Sequence, residues 1–227
     1  QKNAFVLVMG VNASTESGIA FFWGGSKCAK VYFDFIMDRW DFLTESQKIE
    51  FVLANSSDGM PAIFMAVKEG QYEFIRAYYD FLKVIFKDLS VEEGKEFVLA
   101  KHVDGMPIVF FAMQEGYSEL VRIYFDFLRN IWGGVQNDFL TDQQKMEYVL
   151  AQCDDGVPAI FLAIQEGALG CVAEYFKFLE LMWGRLSYEQ RAAFLFINIC
   201  EDEPAIHIAI QGDHPEFMGA YYSILTT

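Results

Sequence analysis

With 227 residues, 53% of them hydrophobic and 17% aromatic, the chain has the material for a large core. Its formal net charge of -15 speaks against phosphate backbones and anionic membrane surfaces, which are held by Lys and Arg. No uncharged apolar run reaches the roughly 18 residues of a membrane span, so neither a nucleic-acid nor a membrane partner is expected.

Read from its start, the stretch Gln1 to Ser14 imitates a short signal peptide, with Lys2 before an apolar run. Phe5-Val6-Leu7-Val8, however, lies 46 residues before Phe51-Val52-Leu53-Ala54, and further copies begin at Phe97, Tyr148 and Phe194. Pro61, Pro107, Pro158 and Pro204 follow with separations of 46, 51 and 46 residues. Repetition at such a period marks stacked supersecondary units that bury their apolar faces against one another. The prediction is an all-α helical repeat solenoid spanning 1–227, in units 5–50, 51–96, 97–147, 148–193 and 194–227. Gln1 enters in mid-unit, so a fragment of a longer chain is expected, with a further domain upstream.

Each full unit predicts three helices. Pro61 to Glu69 reads as the first, with Pro suited to a helix start and Gly70 to a left-handed end. Tyr72 to Phe86 reads as the second, and its apolar residues cover so much of the circumference that it must be buried on two sides. The third is announced by a capping box, Ser90 with Glu93, which returns as Thr44 with Gln47, Thr141 with Gln144, and Ser187 with Gln190. That helix runs into Phe97-Val98-Leu99-Ala100 and gives way to a turn at Asp104-Gly105, matched by Asp58-Gly59 and Asp155-Gly156. Trp40, Phe86, Trp132 and Trp183 form a structural column at the end of the second helix. Glu73 with Arg76, and Glu119 with Arg122, read as pairs along one helix.

Exceptions to the repeat are where function is sought. Phe22-Trp23 stand where later units place Lys68-Glu69, Gln114-Glu115 and Gln165-Glu166, so a polar face turns aromatic there, either against an upstream domain or as a partner anchor. Five residues are inserted within Gly133 to Asp138, in a loop. Of the four cysteines, Cys28 and Cys171 share a column with Phe74 and Leu120 and read as buried thiols, and a reducing compartment fits this usage. Cys153 and Cys200 have no metal-ligand spacing. His102, His207 and His214 belong to no catalytic pattern, and Glu201, Asp202 and Glu203 read as a solvated acidic turn. No cofactor, metal or catalytic residue is therefore expected.

Asp58-Gly59, Pro61, Ala66, Gly70, Glu73 and Phe74-Ile75 resemble the ankyrin repeat, and Pro204-Ala205-Ile206-His207-Ile208-Ala209 is the nearest copy. Pro stands one place early and the capped third helix is an addition. In that form the unit resembles the ankyrin-like modules near the C-terminus of bacterial type III secretion effectors of the enterotoxin-like and ADP-riboxanase families. The resemblance implies a non-enzymatic module that docks a host protein, delivered by a bacterium into the host cytoplasm, for an enzymatic domain elsewhere in the chain. It leaves open a region that completes the active site of such a domain. The partner-binding candidates are Asn55, Ser56 and Ser57; Lys101, His102 and Val103; Gln152, Cys153 and Asp154; with Phe22 and Trp23. An acidic surface favours a partner with a basic patch.

Overall fold

The computed structural model describes residues 29–56, 58–132, 140–195, 217–219 and 221–222. Among them the secondary structure is helical, with no strand, as the all-α reading predicts. No helix among the described residues is long and apolar enough to cross a membrane. The chain divides into two compact units, residues 1–104 and 105–227.

The first unit holds α1 (29–37), a 3-10 turn Trp40–Phe42, α2 (Glu45–Leu53), α3 (Ala62–Lys68), α4 (Tyr72–Ile85), a second 3-10 turn Phe86–Asp88 and α5 (Val91–Leu99). In the second unit follow α6 (Ile108–Gln114), α7 (Ser118–Trp132), α8 (Asp142–Leu150), α9 (Ala159–Gln165), α10 (Leu169–Met182), a 3-10 turn Trp183–Arg185 and α11 (Tyr188–Leu195). The sequence places a helix start at Pro61, whereas Pro61 is the extended residue before α3, with φ -61° and ψ 142°. A proline φ suits either position, and ψ decides between them. Likewise the expected helix to Phe86 ends at Ile85, because the chain tightens there into a 3-10 turn.

All four capping boxes form their bonds. At α5, Glu93 N–H donates to Ser90 Oγ at 3.2 Å and Ser90 N–H to Glu93 Oε2 at 2.9 Å, and α2, α8 and α11 repeat the exchange with Gln47, Gln144 and Gln190. At the other end of α2, α5 and α8, Ala54, Ala100 and Ala151 adopt the left-handed conformation, with φ of 45°, 36° and 43°. The sequence marks no glycine there. Burial of the three methyl groups in the core explains why Ala is kept despite the strain.

The long helices bury tyrosines whose hydroxyls do a second job. Tyr32, Tyr78, Tyr124 and Tyr175 donate to the carbonyls of Phe51, Phe97, Tyr148 and Phe194, at 2.6, 2.7, 2.7 and 3.2 Å. Those carbonyls lie near the ends of the capped helices, and at α2, α5 and α8 the left-handed alanine ends the helical ladder and leaves acceptors to be satisfied from outside. Replacing Tyr124 by Phe should therefore cost about 1–3 kcal/mol, the penalty of a buried acceptor left without its donor. Chemical denaturation reads this, and a midpoint unchanged from the parent would assign the bond no net weight.

The tryptophan column is buried at Trp40 and Trp132 and is met by a cation from the next helix. Lys48 Nζ lies 4.8 Å from the Trp40 ring, Lys145 Nζ 5.5 Å from Trp132, and the Arg191 guanidinium 4.9 Å from Trp183, which also receives two bonds at its carbonyl. Where the column carries Phe86, the cation's place in the cap register is held by the buried Gly94. Arg122 pairs with Glu119 at 2.7 Å along α7, as the spacing predicts. Cys171 is fully buried, with its thiol 3.8 Å from the Ala112 carbonyl. Burial pushes that thiol up to about 12, so it is inert at neutral pH.

One capping residue stands apart. Glu93 is 6% exposed, and its Oε1 has no hydrogen-bond partner among the described residues. The other three boxes use Gln, and Gln190 spends its amide on Asp142 Oδ1 at 3.2 Å, the first residue of the preceding capped helix. Glu45 is the first residue of the helix that packs on α5. Glu93→Gln should keep the cap, supply a donor toward that carboxylate and stabilise by about 1 kcal/mol, or roughly 2–4 °C in Tm for a chain of this size. A Tm equal to the parent's, measured by thermal melting, would mean that water already serves Oε1.

Candidate recognition surface

Sequence pattern places the variable residues just before each Asp-Gly pair, and the local fold explains how they are held. After the left-handed alanine the chain reverses into a tight turn. Ser56 N–H donates to the Met60 carbonyl at 2.9 Å and Gly59 N–H to the Ser56 carbonyl at 2.9 Å, while Ser56 Oγ accepts from Met60 N–H at 3.1 Å. Cys153 N–H to the Val157 carbonyl, 3.1 Å, and Gly156 N–H to the Cys153 carbonyl, 2.9 Å, repeat this in the second unit. Gly59, Gly105 and Gly156 all have positive φ, 77°, 80° and 81°, which only glycine adopts without strain.

Within these turns the three candidate positions differ. Asn55, Lys101 and Gln152, the first of each trio, are exposed. Ser56, His102 and Cys153, the second, are half-buried. The His102 ring lies 5.0 Å from the Phe64 ring, and its Nδ1 is 2.6 Å from Asp104 Oδ1. The third position turns back onto the preceding turn: Val103 Cγ1 stands 2.9 Å from where a Cβ on Gly59 would be, and the Asp154 carboxylate overlaps the Cβ position of Gly105. Val103 is nevertheless 66% exposed, since it covers a backbone and not a core. Ser57, Phe22, Trp23, Cys28, His207, His214 and the acidic stretch Glu201 to Glu203 lie outside the described residues, as does the inserted loop.

Sequence reasoning treats all three positions as free to vary without effect on the scaffold. The structure separates them, because His102, Val103 and Asp154 each touch a residue about 40 to 50 positions earlier. Only the alignment of one turn on the next could have shown this in the sequence: a glycine column is needed where the following turn lays a side chain. A second feature that sequence reasoning missed is a crevice of about 690 Å³ between α1 and α4, lined by Val31, Met37, Ala77, Phe81 and Val84.

Among the described residues, no group of three or more His, Cys, Asp or Glu side chains is placed to hold a metal ion. The resolved shifts in acid–base behaviour fall largely on buried tyrosines and on Cys171, where desolvation is the leading cause. Glu96 is also raised, by burial and then by the nearby Glu93 carboxylate. Comparison with known proteins finds no matching family model, no matching curated protein and no matching solved structure.

Proposed function

We propose that the chain is a non-enzymatic protein–protein interaction module, an ankyrin-like helical solenoid in which units of about 46 residues each contribute three helices. The observation that carries this reading is the contrast within the turns. Their glycines share one backbone conformation, while Asn55, Lys101 and Gln152 change chemistry from one turn to the next and remain exposed. A fixed frame that displays exchanged side chains is a way to build specificity, and the net charge of -15 complements a partner with a basic patch. On this reading the module docks a host protein for a bacterial effector working in the host cytoplasm, with any catalysis done by an upstream domain.

Activity of a longer effector chain, assayed with and without this region, tests the proposal. Loss confined to a protein substrate supports docking. Equal loss on a small surrogate substrate would instead make the region part of an active site. Once a partner is in hand, replacing Asn55, Lys101 and Gln152 together by Ala should weaken its binding at least tenfold, about 1.4 kcal/mol, and leave Tm unchanged. Replacing Lys101, His102 and Val103 should lower Tm as well, because two of those side chains pack on Phe64 and Gly59.

A further inference from the structure

His102 occupies the second position of the middle turn, where the other two turns have Ser56 and Cys153. Imidazole is the side chain suited to change charge near neutral pH. The ring lies against Phe64 of α3, with centroids 5.0 Å apart and planes tilted by 36°, and Phe64 is itself buried. At the ring's edge Nδ1 meets Asp104 Oδ1 at 2.6 Å, and the histidine side chain is only 22% exposed. A nitrogen and a carboxylate oxygen that close have a proton between them, because a bare Nδ1 would turn its lone pair on the negative oxygen. The Asp104 N–H lies 3.4 Å from the same nitrogen and can donate to it. One nitrogen therefore has two partners on one residue: protonated, it donates to the carboxylate, and bare, it accepts from the amide. A neutral ring keeps the carboxylate only in the tautomer with its proton on Nδ1, and then without the charge that strengthens the bond. The first turn is held differently, since Ser56 Oγ accepts from the Met60 N–H at 3.1 Å and needs no ring proton.

We propose that His102 is a pH-sensitive latch on the middle turn. The charged ring clamps the Asp104 carboxylate and fixes the backbone that carries the exposed Lys101, and the neutral ring loosens it. The charged groups of the turn itself are Lys101 and Asp104, the preceding turn brings Asp58, and α3 has only Lys68, one helical turn beyond Phe64. Of these, Asp104 is the one within hydrogen-bond distance of the ring, so it is the group that a ring proton engages. The clamp is thus strongest on the acid side and weakens as the pH rises through the neutral range. Its consequence for binding rests on the reading of these turns as a recognition surface. On that reading the partner is held more tightly in mild acid than at the pH of a neutral compartment, through one turn out of three.

The test needs no partner. NMR on the isotope-labelled full chain follows amide exchange with water at Val103 and Asp104 at about pH 5.5 and about pH 7.5, corrected for the intrinsic pH dependence of exchange. Protection about threefold higher at the acid pH is expected, the size of effect an exposed ion pair produces. Cys153 and Gly156 in the third turn, where no histidine stands, are the control and should not respond. His102→Gln keeps a polar side chain without the charge, and Asp104→Asn keeps the amide partner without the carboxylate. The response should vanish in both variants, while their helical circular dichroism stays that of the parent. Equal protection at the two pH values in the parent would overturn the proposal, and so would a response that survives in either variant or appears equally in the third turn. A separate measurement addresses the reading on which the binding consequence rests. If the latch responds as expected and the affinity of a partner, once in hand, is the same at both pH values, the latch stands and the middle turn is not where that partner binds.

Discussion

Raising the pH above 10 is expected to unfold this protein in a steep, cooperative step, with tyrosinate absorbance and loss of helical circular dichroism appearing together. Tyr32, Tyr78, Tyr79, Tyr148 and Tyr175 are all buried, and burial raises each of them above the ordinary tyrosine value of 10.0. A group raised in the folded state holds its proton after the unfolded chain has lost it. The unfolded chain therefore binds fewer protons above pH 10, and stability falls as pH rises. Each such tyrosine removes about 1 kcal/mol between pH 10 and pH 11 and about 1.4 kcal/mol per pH unit beyond that, so five acting together remove about 5 kcal/mol by pH 11. That is comparable with the whole stability of an ordinary domain, about 5–15 kcal/mol, and puts the midpoint near pH 11 to 12. Three of the five lie in the first unit and two in the second, so the first should show the steeper response. A smooth titration of all tyrosines near pH 10 with helicity retained would refute the burial on which the expectation rests.

Gly105→Val is expected to destabilise by about 3 kcal/mol or more, well beyond an ordinary surface substitution. Two causes add at this position. With φ at +80°, a β-branched residue must either adopt a strained left-handed conformation or break the turn. Any Cβ there also overlaps the Asp154 carboxylate, which must swing away and give up its place over the turn. Gly70, with φ +64° and no atom within 4 Å of its Cβ position, carries the first cause alone. Gly70→Val should therefore cost less. Adding Asp154→Ala to Gly105→Val should recover part of the loss, with a coupling of about 0.5–3 kcal/mol in a double-mutant cycle. Thermal and urea unfolding of the four proteins measure it. Strict additivity would separate Asp154 from Gly105 and leave backbone strain as the sole cause.

The sequence by itself determined the helical class and most of the helix ends among the described residues. Capping boxes, the Asp-Gly turns and the glycine after each first helix were legible because their partners lie within a few residues along the chain. Local hydrogen bonds and φ preferences act at that range and recur wherever the residues recur. Contacts between positions some 20 to 50 apart were decided only by the tertiary structure. Val103 over Gly59, His102 on Phe64 and Asp154 over Gly105 turn two of the three variable positions toward the scaffold, a distinction invisible when all three simply vary. Tyr124 reads in the sequence as one more apolar residue of a buried helix, and its hydroxyl acquires meaning only when the end of α8 arrives beside it. The crevice between α1 and α4 is the clearest case. Val31, Met37, Ala77 and Val84 are unremarkable one at a time, and only two helices laid side by side make the crevice they line, because a cavity is a property of neighbours and not of residues.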